Sequence, residues 1–234
     1  MPLNLRKQQI IDILNKKQRV SVKALSKELY VCEMTIRRDL KELESAGFLI
    51  RYHGGAVLPD SENDMPISVR MHINEKEKKK IAKIAQKHLK DNQIIFLEAS
   101  STCAYLIPYL KEHKNMTVIT NCVMFLPLLN KYGVRCKLTG GDYIPSENCL
   151  AGRDAENYLR GVNVDVAFIS CNGLSFDGTL TEDVPELAEI AKIMKKNSRR
   201  CIVLMDKTKV NYIGKYNLFH KNEVDELITV KEEI

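Results

Sequence analysis

Thr35, Arg37, Arg38 and Lys41 fall within two turns of a helical stretch, and Arg51 and His53 follow beside Gly54-Gly55. Cations at that density bind polyanions, and arginine can pair with guanine edges or phosphate. A second group of polar residues recurs further on, each just past a short β-branched run: Ser100-Ser101-Thr102, Thr120-Asn121, Thr139-Gly140-Gly141-Asp142, Cys171-Asn172-Gly173 and Asp206-Lys207-Thr208-Lys209. Lysines and free backbone N–H groups hold phosphate, and Asn and Asp bind hydroxyls, so this set suits a phosphorylated polyol. No nucleophile–base pair stands out. The seven cysteines are odd in number and none forms a C-x-x-C pair. Neither a catalytic site, a metal site, a cofactor nor a disulfide framework is expected.

The elements that must carry the first group are short helices. Leu5, Ile10, Ile11, Ile13 and Leu14 mark one amphipathic helix. Ser21 can cap a second, through Val22, Leu25 and Leu29. A third runs from about Glu33 to Ala46, with Ile36, Leu40 and Leu43 on one face. Met34, Arg38, Lys41 and Ser45 fall opposite that face, Thr35, Arg37 and Glu42 flank it, and Gly47 ends the helix. The alternation in F-L-I-R-Y-H-G-G-A predicts a strand and turn. This is the layout of a winged helix-turn-helix, with Met34, Thr35, Arg37, Arg38, Lys41, Arg51 and His53 facing duplex DNA.

Residues 57–67, V-L-P-D-S-E-N-D-M-P-I, lack period and predict an exposed linker. The expected division is 1–58 for the DNA reader, 59–74 for the linker and 75–234 for an α/β domain. The run K-E-K-K-K at 76–80 opens a helix with Ile81, Ile84 and Ala85 inward and most lysines solvated. Strands are expected at 94–97, 117–120, 134–138, 164–170, 201–205 and 227–230, and helices near 101–112, 122–131, 153–160 and 184–197. Such alternation predicts a largely parallel sheet, with ligands bound beyond the carboxyl ends of its strands.

The charge is uneven. Residues 1–58 hold eleven Lys and Arg against six Asp and Glu, while residues 59–234 hold 25 against 24. One part is built to meet a polyanion and the other is not. The cysteines sit mostly in apolar runs and suit a reducing cytosol. No signal segment and no membrane-spanning run is seen, which predicts a cytoplasmic protein.

The string T-I-R-R-D-L-x-x-L-E-x-x-G-F-L-x-R-x-H-G-G-A over residues 35–56 resembles the DeoR family of bacterial transcriptional regulators. Cys32 stands where that family usually has a capping Ser. The resemblance continues through Lys78–Glu186 and Asp206–Lys209. It implies a sensor domain with a ribose-5-phosphate isomerase/CoA-transferase-like fold, which usually binds a sugar phosphate. It adds Arg70, Lys78, Glu98, Asp177 and the D-G-T-L-T string at 177–181 to the candidate effector residues. The family's D-S-G-T-T loop reads E-A-S-S-T here, with Glu98 for Asp and Ser100 for Gly.

The expected function is a sequence-specific transcriptional regulator, a repressor of a carbohydrate operon. Its expected partners are an operator duplex, a phosphorylated sugar and a second or further copies of the chain, as homodimer or homotetramer. The alternative is a sugar-phosphate isomerase with a DNA-binding appendage, drawing an acid–base carboxylate from Glu98, Asp177, Glu182 or Asp183. A purely architectural DNA binder would need no pocket.

Overall fold

The computed structural model describes residues 4–59 and 65–230 and divides into two units, Met1–Ile73 and Asn74–Ile234. In the first unit α1 (Leu5–Lys17) starts at Asn4, whose side chain accepts the Lys7 amide. A short strand, β1 (Arg19–Ser21), leads into α2 (Val22–Leu29), where the Ser21 hydroxyl accepts the Ala24 amide at 3.1 Å. Tyr30 closes α2 in the left-handed region, and α3 (Glu33–Ser45) follows after two residues.

The end of α3 is a Schellman motif. The Phe48 amide reaches the Leu43 carbonyl at 2.9 Å and the Gly47 amide reaches Glu44 at 2.9 Å. Gly47 has φ +81°, which a side chain would resist. Its start is weaker, because the Cys32 thiol makes no capping bond and instead lies 3.2 Å from the Thr35 hydroxyl.

Behind α3, β2 (Ile50–Tyr52) and β3 (Gly55–Val57) form a hairpin whose turn is His53-Gly54. β3 also pairs with β1, giving a sheet ordered β1-β3-β2. A Cβ on Gly55 would sit 2.2 Å from the Val20 carbonyl, so only glycine allows the wing to close on β1. The core of the unit contains Ile10, Ile11, Leu14, Leu25, Ile36, Leu40 and Leu43, all essentially inaccessible.

The linker expectation changes here. Residues 60–64 lie outside the described residues, but Met65, Val69 and Ile73 are buried in that same core, and α4 (Ile67–Arg70) is helical. Apolar residues spaced by four rows of a helix outweigh the turn-forming residues around them.

The second unit opens with α5 (Glu75–Ala85). Ile81, Ala82 and Ala85 face inward, but Ile84 is 42% exposed and Lys78 takes an inward position in its place. The sheet comprises β4 (Ile94–Leu97), β5 (Thr117–Thr120), β6 (Arg135–Leu138), β9 (Val164–Ile169), β12 (Ser198–Leu204) and β14 (Glu226–Ile228). These run in the order β14-β12-β9-β4-β5-β6 and every pairing is parallel. Strand order therefore reverses at β4: later strands build outward on one side through β5 and β6, and on the other through β9, β12 and β14.

Helices α6 (Ile107–Leu110), α7 (Leu126–Lys131), α8 (Arg153–Arg160) and α9 (Pro185–Lys196) connect the strands. The helix expected at 101–112 is in fact a 3₁₀ turn, Cys103–Leu106, running into α6. Two further pieces escaped the sequence pattern. One is the hairpin β7 (Asp142–Ile144) and β8 (Cys149–Ala151). The other is the antiparallel sheet of β10 (Gly173–Leu174), β11 (Thr179–Glu182) and β13 (Tyr216–His220). Among the described residues no helix is long and apolar enough to cross a membrane.

Candidate functional site

On the first unit, burial sorts α3 cleanly. Ile36, Leu40 and Leu43 face the core, while Met34, Arg37, Arg38, Lys41 and Ser45 are exposed. Met34, Thr35, Arg37, Arg38, Lys41 and Arg51 line one shallow depression of about 400 Å³. Arg37 is shared with Glu33 at 3.3 Å, and Arg51 lies 3.7 Å from Glu44. Both pairs are exposed and weak, so both cations stay usable. His53 is exposed at the tip of the hairpin. Six of the seven candidate DNA residues thus share one surface, and the seventh sits at the wing turn.

Two ion pairs that sequence reading missed hold this helix in place. Asp39, only 2% exposed, accepts from both Nε and Nη2 of Arg6, and Lys7 pairs with Glu42. The signal was a charged residue, Asp39, adjoining the apolar stripe of α3.

On the second unit, the polar residues gather at the carboxyl ends of the parallel strands. The crevice between β4 and β9 is the place where strand order reverses, which is where ligands bind in such sheets. Glu98 spans it: the Glu98 amide donates to the Phe168 carbonyl at 3.0 Å, and its Oε2 accepts the Ser170 amide at 2.6 Å. Burial pushes the Glu98 carboxyl well above the ordinary range; the Ser170 amide opposes this, and the nearby Glu182 and Glu147 carboxylates add to it.

Next to Glu98, Ala99 donates its amide to Asn121 Oδ1 at 2.9 Å. Asn121 is fully buried at the end of β5, and its Nδ2 has no hydrogen-bond partner among the described residues. Ser100 turns its hydroxyl back to accept the Thr102 and Cys103 amides. Among the described residues, the amides of Ser100 and Ser101 donate no hydrogen bond. Two free backbone N–H groups and an orphan carboxamide at one strand-end crevice form a set of donors awaiting acceptors. Gly140 and Gly141 follow β6 with φ +73° and +105°, and a Cβ on Gly141 would lie 2.3 Å from the Ala151 carbonyl.

Other candidates are committed elsewhere. Thr120 is buried, its hydroxyl donating to the Leu97 carbonyl at 2.6 Å and accepting the Cys122 amide, so it ties β5 to β4. Lys78 is buried 3.6 Å from Asp206, whose other oxygen accepts the Thr208 amide and fixes the D-K-T-K turn. Lys209, at the end of that turn, is half-buried, and its charge reaches the Cys171 thiol together with those of Glu182, Glu98 and Asp206. Asn172 donates to Asp183 at 3.1 Å, which holds the C-N-G loop against β11, and Gly173 begins β10.

Asp177 and Arg70 have the following surroundings. Asp177 is exposed and folds the turn between β10 and β11, its oxygens taken by the Ser175 hydroxyl and by the Thr179 amide and hydroxyl. Those bonds lower its pKa. Arg70 is buried in α4 of the first unit. Glu147, buried close enough to act on Glu98, was missed; nothing in its S-E-N setting marked it.

The comparisons agree with this division. Residues 6–62 match the model of the DeoR-like helix-turn-helix domain, and residues 73–231 match the DeoR C terminal sensor domain. The chain is 32% identical to the HTH-type transcriptional regulator GolR of Listeria innocua, over 96% of this chain and 89% of that one. It is 29% identical to the L-fucose operon activator of Escherichia coli (98% and 96% covered) and 26% identical to that organism's glycerol-3-phosphate regulon repressor (94% and 88%). Among solved structures, ribose 5-phosphate isomerase A of Methanocaldococcus jannaschii superposes with a TM-score of 0.43 at 23% identity, over 58% of this chain and 55% of the enzyme. A surface-exposed cationic helix, a wing and a strand-end crevice, matched along both halves by one family, lead to a single assignment: the chain belongs to the DeoR family of transcriptional regulators.

Proposed function

We propose that the chain represses a carbohydrate operon. α3 and the wing read the operator, and a phosphorylated sugar in the β4–β9 crevice changes operator affinity. The observation that carries the DNA half is the stripe of Met34, Thr35, Arg37, Arg38 and Lys41, which shares one depression with Arg51 on the wing. An exposed helix of this kind suits a major groove, where its first turns meet base edges and the wing meets phosphate. The unpartnered donors at Ser100, Ser101 and Asn121 support an anionic, oxygen-rich ligand, and Lys209 adds charge. The relatives' names concern a sugar operon and a phosphorylated triol, which fits the same chemistry. Pairing two such units on a repeated site calls for a homodimer or homotetramer.

The enzymatic alternative has little to work with. Glu98 is spent on the Ser170 amide, Glu182 on the Asp183 and Val184 amides, Asp183 on Asn172 and Tyr212, and Asp177 on its own turn. Each of these carboxylates thus already holds local structure in place.

Operator fragments recovered by affinity selection, then titrated with and without ribose 5-phosphate, test the proposal. Sequence-specific binding that the sugar phosphate weakens, without isomer formation, is the expected result. Turnover of the sugar, or indifference to every duplex at low salt, overturns it.

A further inference from the structure

The amino ends of β5 and β6, opposite the strand-end crevice, hold a separate cleft of about 470 Å³. Leu110, Met116 and Val134 line it with apolar surface, and Lys111 and His113 from the segment after α6, with Arg135 from the start of β6, bring cationic and imidazole groups to it. No Asp or Glu is among its lining residues. The Asp91 carboxylate lies 3.5 Å from the His113 ring and accepts the Lys114 amide. Along β5 this cleft is ~10 Å from Thr120, at 3.3 Å per residue, so the two sites lie at opposite ends of the strand.

Some cations on this unit are paired: Lys79 with Glu75, Lys87 with Glu226, Arg160 with Glu156, Lys192 with Glu189, Lys195 with Glu223. Among the described residues Lys111 and Arg135 have no carboxylate partner. Lys111 instead lies over the Tyr132 ring, 5.9 Å from its centre, with Lys131 at 5.7 Å. Charges on the edge strand β6 do discourage edge-to-edge pairing. That role accounts for Arg135 and Lys137, but not for Lys111 and His113 on another segment with an open volume between them.

We propose that this cleft is a second small-molecule site, which takes a phosphate monoester with its phosphate between Lys111 and Arg135 and its organic body over Leu110, Met116 and Val134. Two permanent cations match a dianionic phosphate, and the volume falls in the range of ordinary ligand pockets. The site is independent of the β4–β9 crevice and of any effector bound there.

The chain contains no tryptophan, so Tyr132→Trp places a single indole reporter at the cleft. Titration of that full-length variant with ribose 5-phosphate should give a saturable fluorescence change, and ribose should give none. Adding Lys111→Ala together with Arg135→Ala should weaken binding roughly tenfold or more, the loss of a charge-assisted hydrogen bond. Adding Lys209→Ala instead should leave the curve in place. An unsaturable signal, an unchanged affinity in the double variant, or a signal abolished by Lys209→Ala overturns the proposal. Should the reporter variant fail to fold, calorimetry of the unsubstituted chain against the Lys111→Ala, Arg135→Ala chain decides: equal heats and stoichiometry with ribose 5-phosphate sink it. The crevice reading can fail on operator response without touching this result.

Discussion

The carboxylate of Asp39 faces inward from α3 and takes two hydrogen bonds from the Arg6 guanidinium on α1, the longer at 3.1 Å. The pair pins the helix that carries the DNA-facing stripe to the helix behind it. Asp39→Asn keeps the shape but leaves Arg6 without a counter-charge. Because Arg6 is about a third exposed, the cost is set near the lower end for broken buried pairs, about 1–3 kcal/mol. Urea denaturation followed by far-UV dichroism measures it, and a loss below experimental error would reduce the pair to surface decoration.

Arg38 carries no competing ion pair among the described residues and points away from the core. Arg38→Ala should cost about 1–3 kcal/mol at the operator if it reads a base edge. If it meets phosphate, the loss should be equal on operator and random duplex, and the salt slope should fall by about 1. Fluorescence anisotropy across a salt series separates the two, and an unchanged affinity removes Arg38 from the interface.

Lys209→Ala should blunt the response to ribose 5-phosphate while leaving operator binding by the ligand-free protein intact. The same anisotropy assay, run with increasing sugar phosphate, reports it; a full response in the variant excludes Lys209 from the crevice site.

Glu98 keeps its proton to higher pH in the folded chain than in the unfolded chain. Its native pKa is raised, chiefly by burial, so from the ordinary glutamate range up to that raised value the native state binds more protons than the unfolded state. Stability must then fall as pH rises through that window. Glu98→Gln keeps an acceptor for the Ser170 amide and removes the titration. It should show a flatter stability profile across that same window. Parallel slopes for the two proteins would show that Glu98 does not titrate there.

Cys32 is exposed, and the hydroxyl and amide of Thr35 draw its thiol below the usual range. Cys103, Cys122, Cys149, Cys171 and Cys201 are buried, with Cys122 and Cys201 pushed up to about 12. Iodoacetamide should therefore label Cys32 first, and bound operator should protect it, as peptide mass mapping will show. Cys32→Ser restores a capping oxygen at the start of α3 and should stabilise the first unit by about 1 kcal/mol.

Parts of this molecule were legible from one sequence because they are local. The spacing of Ile36, Leu40 and Leu43 fixes the inward face of α3, and Gly47 ends it, whatever else the chain does. The six parallel strands announce themselves as β-branched runs. What could not be read depends on partners far away in the chain. Asp39 is buried because Arg6 lies across from it, 33 residues earlier. Nothing within the K-E-K-K-K run sets Lys78 apart from its solvated neighbours; Asp206, much later in the chain, does. The turn bonds of Asp177 are hidden for the opposite reason: a carboxylate that folds its own turn has the same neighbours in sequence as one that awaits a ligand. β7, β8 and β10 are two or three residues long and too short to show a period.

Because β4 is shared, the sensor unit is two half-sheets hinged on one strand, each made from a separate stretch of chain. A molecule seated at the tip of that strand grips both at once, like a rivet through two plates. Neither half can then peel away without first releasing it, so occupancy should merge two melting units into one and slow proteolytic nicking on both sides together.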